Sequence, residues 1–211
     1  MRIEATFVTS AADASGLPEG ALPEIAVVGR SNVGKSSLIN ALVRQRLART
    51  SAAPGKTRLA NVYRVERGAA RPFHLVDLPG YGYARGGGAS ARAFDQLTRE
   101  YFAEQGRRQI AAVLLVDSRH PGLPSDLDAW NWLQQTVERC ALVATKIDKL
   151  ARGERIRALR QLESVCETSV VPVSAATGEG LDELWRMIER LANNPEETAS
   201  QPRPPRKRPK K

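Results

Sequence analysis

Residues 24–47 constrain the fold more than any other stretch of the chain. An apolar, β-branched run from Glu24 to Gly29 leads into Arg30-Ser31-Asn32-Val33, and Gly34-Lys35-Ser36 then opens an apolar helical pattern reaching about Leu47. GxxxxGK[ST] between a strand and a helix is a phosphate-binding loop, and the flanking elements give the pattern its weight. Backbone N–H groups from Gly29 to Gly34 must wrap around phosphate oxygens, and Gly34 permits the conformation and close approach this needs. Lys35 would neutralise the β and γ phosphates and so take part in catalysis, while Ser36 would place its hydroxyl on Mg2+. Ser37, at the helix start, could donate to the α-phosphate. The alternative, an ordinary glycine turn beside a surface lysine, explains neither the strand before nor the helix after.

The rest of the chain repeats the strand–helix alternation. The runs Phe73 to Val76, Ala111 to Val116, Ala141 to Ala144 and Val170 to Val173 are short and unalternated, as in strands buried on both faces. Helical spacing fills roughly 91–105, 125–137, 153–166 and 181–192. Asn61 to Glu66 alternates and suits an antiparallel strand at one edge. The expected fold is therefore α/β: a P-loop NTPase three-layer α/β/α domain around a mainly parallel six-stranded sheet with one antiparallel edge strand. Ala48 to Thr57 and Tyr81 to Ser90 lack apolar periodicity and read as mobile loops. The expected division is one domain over residues 1–192 and a disordered, proline-rich basic tail over 193–211.

Composition narrows the setting. With 211 residues and 42% hydrophobic content the chain can bury one core. No apolar run is long enough to span a bilayer and no leader pattern opens the sequence, so a cytoplasmic protein is expected. Cys140 and Cys166 have no metal-ligand spacing and read as free thiols. Of the net charge of +9, six positive charges fall on Arg203, Arg206, Lys207, Arg208, Lys210 and Lys211. The tail thus carries most of any attraction to polyanions.

Two more motifs stand at strand ends, where doubly wound sheets bind nucleotides. Asp77-Leu78-Pro79-Gly80 places a carboxylate where it can reach Mg2+ through water, and Gly80 would turn its N–H toward a γ-phosphate. Thr145-Lys146-Ile147-Asp148 selects the base: an ionised Asp148 accepts from both N1–H and the exocyclic amine of guanine, whereas adenine offers neither hydrogen. The Lys146 stem can lie over the base, and at the strand end Val173-Ser174-Ala175 backbone N–H groups of Ser174 and Ala175 can meet guanine O6. GTP and GDP are the expected ligands.

With three motifs in order, the chain resembles the EngB family of small bacterial GTPases. The likeness rests on Gly29-Arg-Ser-Asn-Val-Gly-Lys-Ser-Ser-Leu-Ile-Asn40, Pro54-Gly-Lys-Thr57, Asp77-Leu-Pro-Gly-Tyr-Gly-Tyr83, Asp117-Ser-Arg-His120 and Thr145-Lys-Ile-Asp148, and spans roughly residues 5–192. It implies a GTPase that serves assembly of the large (50S) ribosomal subunit, with a link to cell division and septation. It also implies that Thr57 is the second hydroxyl ligand of Mg2+, with Thr50 and Ser51 weaker candidates, and that the loops before Thr57 and after Gly80 are switches I and II. Ile147 replaces a more usual alanine, and Ser174-Ala175-Ala176 is closer to the wider superfamily pattern.

Many GTPases orient the attacking water with a Gln after DxxG, but here that position is Tyr81, so unassisted hydrolysis should be slow. Asn32 could hold a K+ ion in place of an arginine finger, as in related families, or could stabilise the loop by bonding its own backbone. Asp117, Arg119 and His120 read as a structural network at a turn before Pro121. Of Trp130 and Trp132 at least one should be core. Arg152, Arg155, Arg157 and Arg160 form a solvated helix face with an RNA contact left open. A monomer is expected, with the large ribosomal subunit as partner. The competing reading is a nucleotide-gated module for cell-division or membrane partners, but the chain shows no C-terminal Cys and has Arg2 where myristoylation needs glycine, so no stable membrane anchor is expected.

Overall fold

The computed structural model of the protein describes residues 2–18, 22–48, 59–81, 89–103 and 110–193, with side chains from residue 96 onward in the 89–103 stretch. Thr50, Ser51, Thr57, Tyr83 and the tail from residue 194 lie outside the described residues, and so do the expectations placed on them.

Along the chain run β1 (Ile3–Ala11), β2 (Glu24–Gly29), α1 (Lys35–Val43), β3 (Ala60–Arg67), β4 (Phe73–Asp77) and α2 (Ala89–Ala103). They are followed by β5 (Ile110–Asp117), α3 (Pro124–Thr136), β6 (Cys140–Thr145), α4 (Arg152–Cys166), β7 (Val170–Pro172) and α5 (Leu181–Ala192). The strands form one seven-stranded sheet in the order β1-β3-β4-β2-β5-β6-β7. β2 pairs in parallel with β4 and β5, and β5–β6 and β6–β7 are parallel too. β3 is antiparallel to both neighbours, β1 and β4.

The three-layer α/β domain is as expected, with seven strands among the described residues rather than six. The added strand, β1, occupies the edge and leaves the antiparallel β3 one place inside it. Its burial is confined to Ala5 and Ala11, with Phe7 52% and Val8 41% exposed, and its pairing slips between Phe7 and Thr9. An edge strand with one solvated side and a bulge shows neither a continuous apolar run nor clean alternation.

Successive residues of the central strands point to opposite faces and feed two cores. On one side Ala26, Val28, Ala112, Leu114, Leu142 and Ala144 meet Tyr101, Phe102, Trp130, Leu133 and Leu162 from α2, α3 and α4. On the other, Ile25, Val27, Val113, Leu115 and Val143 meet Leu38, Ile39, Leu42, Leu184 and Ile188 from α1 and α5. Full burial of side chains such as Leu114 and Leu115, at 0% exposure, contributes about 2 kcal/mol each. Trp130 is core and donates its indole N–H to Cys166 O at 3.1 Å, while Trp132 packs edge-on against Phe102 from the same side. The two cysteines are free thiols. No helix among the described residues is long and apolar enough to cross a membrane.

α1 stops at Val43, short of Leu47, because Arg44 turns left-handed (φ 54). Beyond it the Asn40 side chain organises the exit: its Oδ1 accepts from the N–H groups of Leu47 (2.9 Å) and Ala48 (2.7 Å), and its Nδ2 donates to Ala48 O (2.8 Å). Leu47 still packs on the α1–α5 core, which explains why the apolar periodicity outruns the helix. Replacing Asn40 by Ala leaves the Leu47 and Ala48 amides without this acceptor and should destabilise the protein by about 2 kcal/mol, whereas Asp, which keeps an acceptor, should lose less. Urea unfolding measures the difference; equal stability of all three proteins would show that the segment needs no such tie.

Candidate functional site

Every expected site residue within the described part of the chain lies along the edge where the parallel strands end. β2 ends at Gly29 and passes into a loop in which Asn32 (φ 64) and Gly34 (φ 107) both take left-handed conformations, turning the chain into α1. Lys35 is only 9% exposed, and its ammonium donates to Gly29 O at 3.2 Å, curling back over the loop. Burial lowers its pKa, with the nearby Asp77 charge acting the other way.

Asp77, at the end of β4, is 1% exposed. One carboxylate oxygen accepts from Ser36 Oγ at 3.2 Å, and the other, Oδ1, has no hydrogen-bond partner. Burial pushes this carboxyl up to about 6 against the opposing pull of Lys35 and Ser36. A hydroxyl bonded to a carboxylate that keeps one oxygen unpartnered, with a buried ammonium near enough for its charge to act on that carboxylate, is a donor set suited to Mg2+ and phosphate oxygens together. Leu78 donates its N–H to Val27 O and is wholly buried, so the turn after Asp77 is anchored to the sheet. Gly80 then lies directly over the loop: a methyl group there would come within 2.9 Å of Lys35 Nζ and of the Ser31 backbone. Only glycine leaves that space open.

At the other end of the site, Thr145 Oγ1 bonds Val33 O (2.8 Å) and Val116 O (3.0 Å), tying the end of β6 to the phosphate loop and to β5. Lys146, itself left-handed (φ 60), lays its stem along the loop and donates from Nζ to Asn32 O (2.6 Å) and Asp117 Oδ2 (3.0 Å). Asp148 stands on a 3-10 turn, Ile147–Lys149, and accepts from Ser174 Oγ at 2.7 Å, the main cause holding its carboxyl below the ordinary value. Ile147 is buried, away from the open face.

Three details differ from the sequence expectation or go beyond it. The Ser174 N–H is donated to Glu179 O at 2.9 Å and so is not free for a base; the residue instead orients Asp148 through its hydroxyl. That leaves Ala175 as the amide available at the end of β7. Asp117, expected to be a local network, also grips Lys146: its carboxylate receives Arg119 Nε (2.9 Å) and Nη2 (2.7 Å) as well as Lys146 Nζ. Burial raises its pKa, but the bonds from Arg119 and Lys146 outweigh it and hold the carboxyl well below the usual range. The readable signal was register, because Asp117 and Thr145 are partners on adjacent parallel strands. Third, Tyr81 turns its phenol to Asp126 on α3, at 2.8 Å.

Residues 24–146 match the family model described as 50S ribosome-binding GTPase. The chain is 42% identical over 191 residues to a probable GTP-binding protein EngB of Pelotomaculum thermopropionicum, covering 88% of this chain and 94% of that protein. It is 41% identical over 206 residues to an EngB protein of Anaeromyxobacter sp. strain K, covering 93% and 95%. Among solved structures, the fold matches a crystal structure of a probable GTP-binding protein EngB with TM-score 0.61 at 22% identity, over 80% of this chain and 98% of that one. It also matches an Aquifex aeolicus Era variant bound to GDP and AlF4− with TM-score 0.70 at 20% identity, over 83% of this chain and 58% of that one. The phosphate-loop geometry and these relatives together place the chain in the EngB family of GTP-binding proteins, and make it a GTP-hydrolysing enzyme.

Proposed function

We propose that this protein is a cytoplasmic, monomeric switch that cycles between GTP and GDP during assembly of the large (50S) ribosomal subunit, and through that supports normal cell division and septation. Its G domain spans residues 1–192 and its basic tail 193–211. The observation that carries the nucleotide part is Lys35: an ammonium 9% exposed, with no acidic side chain in ion-pair range among the described residues, facing a space that only Gly80 keeps open. A desolvated cation of this kind is stabilised by an anion delivered to it, and phosphate oxygens are that anion. The ribosomal part is supported by the description of the matching family model.

In this reading the backbone N–H groups of Asn32, Gly34 and Lys35, rather than those of Ser31 and Val33, which are donated to Tyr81 O and Arg30 O, hold the phosphates, Ser37 reaches the α-phosphate, and Gly80 presents its N–H to the γ-phosphate. Ser36, Asp77 through water, and Thr57 would hold Mg2+, which supplies positive charge against the β and γ oxygens. Lys146 covers the base, Asp148 accepts its two hydrogens and Ala175 meets O6. Tyr81, which stands where a water-orienting Gln is common, turns its phenol to α3 instead, so intrinsic turnover is slow. Asn32 has an exposed side chain with no hydrogen bond to its own backbone among the described residues, which favours the K+ role over the loop-stabilising one.

Three measurements test these assignments. Asp148→Asn should weaken GTP binding about a hundredfold, the loss expected from two charge-assisted bonds, and gain xanthosine triphosphate, whose C2 oxygen accepts from the new amide. Retained preference for GTP over the xanthine nucleotide in competition assays would refute the base-reading role. Potassium should activate hydrolysis more than sodium at matched ionic strength, and Asn32→Ala should abolish the difference; equal turnover in both salts removes the K+ proposal.

For the ribosome, full-length protein should co-sediment with large subunits preferentially with a GTP analogue. Deleting residues 201–211 should weaken binding at low salt while preserving the GTP over GDP ratio, because the six tail charges are the same in both states. If all six contact RNA phosphate, the log-log salt slope should flatten by about four units, at roughly 0.7 per contact. Absence of large-subunit association in the GTP-analogue state would sink the ribosomal assignment and leave the GTPase standing.

A further inference from the structure

Gly80 is fixed on both sides. Before it, Leu78 is buried and bonded to β2 through Val27 O. After it, Tyr81 is held by its backbone and by its side chain. Its carbonyl accepts the Ser31 N–H at 2.9 Å, its backbone bridges Arg30 in parallel, and its phenol donates to Asp126 Oδ1 at 2.8 Å. The Gly80 carbonyl accepts from Ser31 Oγ at 3.2 Å, which closes the turn onto the phosphate loop.

Of these ties only the phenol–carboxylate bond leaves the loop for another layer of the fold. Asp126 sits in the first turn of α3 and is 3% exposed. Burying a carboxylate costs several kcal/mol unless it is well bonded, and an apolar pair would have packed the same space more cheaply. The phenol is a committed donor, since burial first and the Asp126 charge second push its pKa up. Burial raises the Asp126 pKa and the Asp117 charge adds to it, while the Tyr81 hydrogen bond and the Arg30 and His120 charges act the other way. Arg30 also keeps its Nε buried without a hydrogen-bond partner, so a side chain of the phosphate loop completes the cluster.

We propose that the Tyr81–Asp126 hydrogen bond is a clamp that holds Gly80 in place for the γ-phosphate, which makes Tyr81 and Asp126 positioning residues for the recognition and hydrolysis of GTP. The inference rests on the reading in which the Gly80 N–H meets the γ-phosphate. Between the two anchors only Pro79 and Gly80 intervene, so the amide is already placed before nucleotide arrives and the ordering cost of GTP binding is small. GDP has no γ-phosphate to meet Gly80, so the clamp acts on GTP alone.

The test is the ratio of GTP-analogue to GDP affinity, with turnover measured beside it, in Tyr81→Phe, Asp126→Ala, Asp126→Asn, Gly80→Ala and the Tyr81→Phe/Asp126→Ala double variant. Tyr81→Phe keeps the ring in its packing, and GDP affinity reports that each variant is folded. Both Tyr81→Phe and Asp126→Ala should lower the ratio about tenfold and lower kcat, with GDP affinity unchanged, the size expected for one lost charge-assisted bond. The double variant should be no worse than either single one, and Asp126→Asn, whose amide oxygen still accepts from the phenol, should retain most of the ratio. An unchanged or raised ratio in the two single variants, or additive losses in the double one, overturns the clamp. If Gly80→Ala loses the ratio while the Tyr81 and Asp126 variants keep it, the clamp alone falls. If Gly80→Ala keeps it, the γ-phosphate role of Gly80 falls and the clamp with it.

Discussion

The arrangement depends on one unfavourable placement, the Lys35 ammonium removed from water and bonded to the Gly29 carbonyl. A buried cation must be stabilised by neighbouring dipoles and charges, and among the described residues they are few: a carbonyl, and the Asp77 carboxylate whose own burial pushes it up to about 6. Neither group fully answers the other. The surrounding structure can hold this pair because it is rigid. β2 is buried along its whole length between β4 and β5, and α1 is pinned by Leu38, Ile39, Leu42 and Val43. Packing thus supports an electrostatic deficit that a polyanion can fill.

A second chain of contacts joins the two ends of the site. Asp117 holds Lys146, Lys146 holds the Asn32 carbonyl, and Thr145 holds the Val33 carbonyl from the neighbouring position. The end of β6 and the Gly29–Lys35 loop are therefore one piece, fixed by the register of β5 and β6. Because the folded pKa of Asp117 is depressed, the stability this cluster contributes is fully present above the ordinary carboxylate pKa of about 4. It is lost only as pH falls through the lower folded value. The phosphate loop is thus braced by a charge that stays ionised across the physiological range.

Much of this was legible in the sequence, for physical reasons. The central strands announce themselves because strands covered on both faces must be apolar throughout, and β5, buried at all eight positions, is the clearest case. The motifs that carry Lys35, Ser36, Asp77 and Asp148 are legible because phosphate and metal chemistry would restrict both residue type and spacing, and the structure sets these residues at the strand ends where the motifs put them. What escaped was fixed by contacts between distant segments. β1 buries too little to show a pattern, and its place is set by pairing with β3. Ser174 looked like a source of backbone N–H until the turn to Glu179 claimed that amide. Tyr81 and Asp126 lie 45 residues apart and neither belongs to a motif that names the other.

The sheet separates two layers that the site joins unequally. Lys35 and Ser36 belong to α1, whose apolar face packs with α5 on one side of the sheet. Tyr81 packs on the opposite core and bonds α3. Asp77 and Gly80 stand at the boundary, on the strand end that both layers share. A change in what occupies the space beside Lys35 meets a stiff wall on the α1 side, where the loop is bonded to β6 through Val33 and Asn32. On the other side it meets a short segment held by a few hydrogen bonds to Ser31 and Asp126. The two layers therefore hold the Asp77–Gly80 turn by unequal means: a loop bonded to β6 on one side, and hydrogen bonds to Ser31 and to Asp126 of α3 on the other.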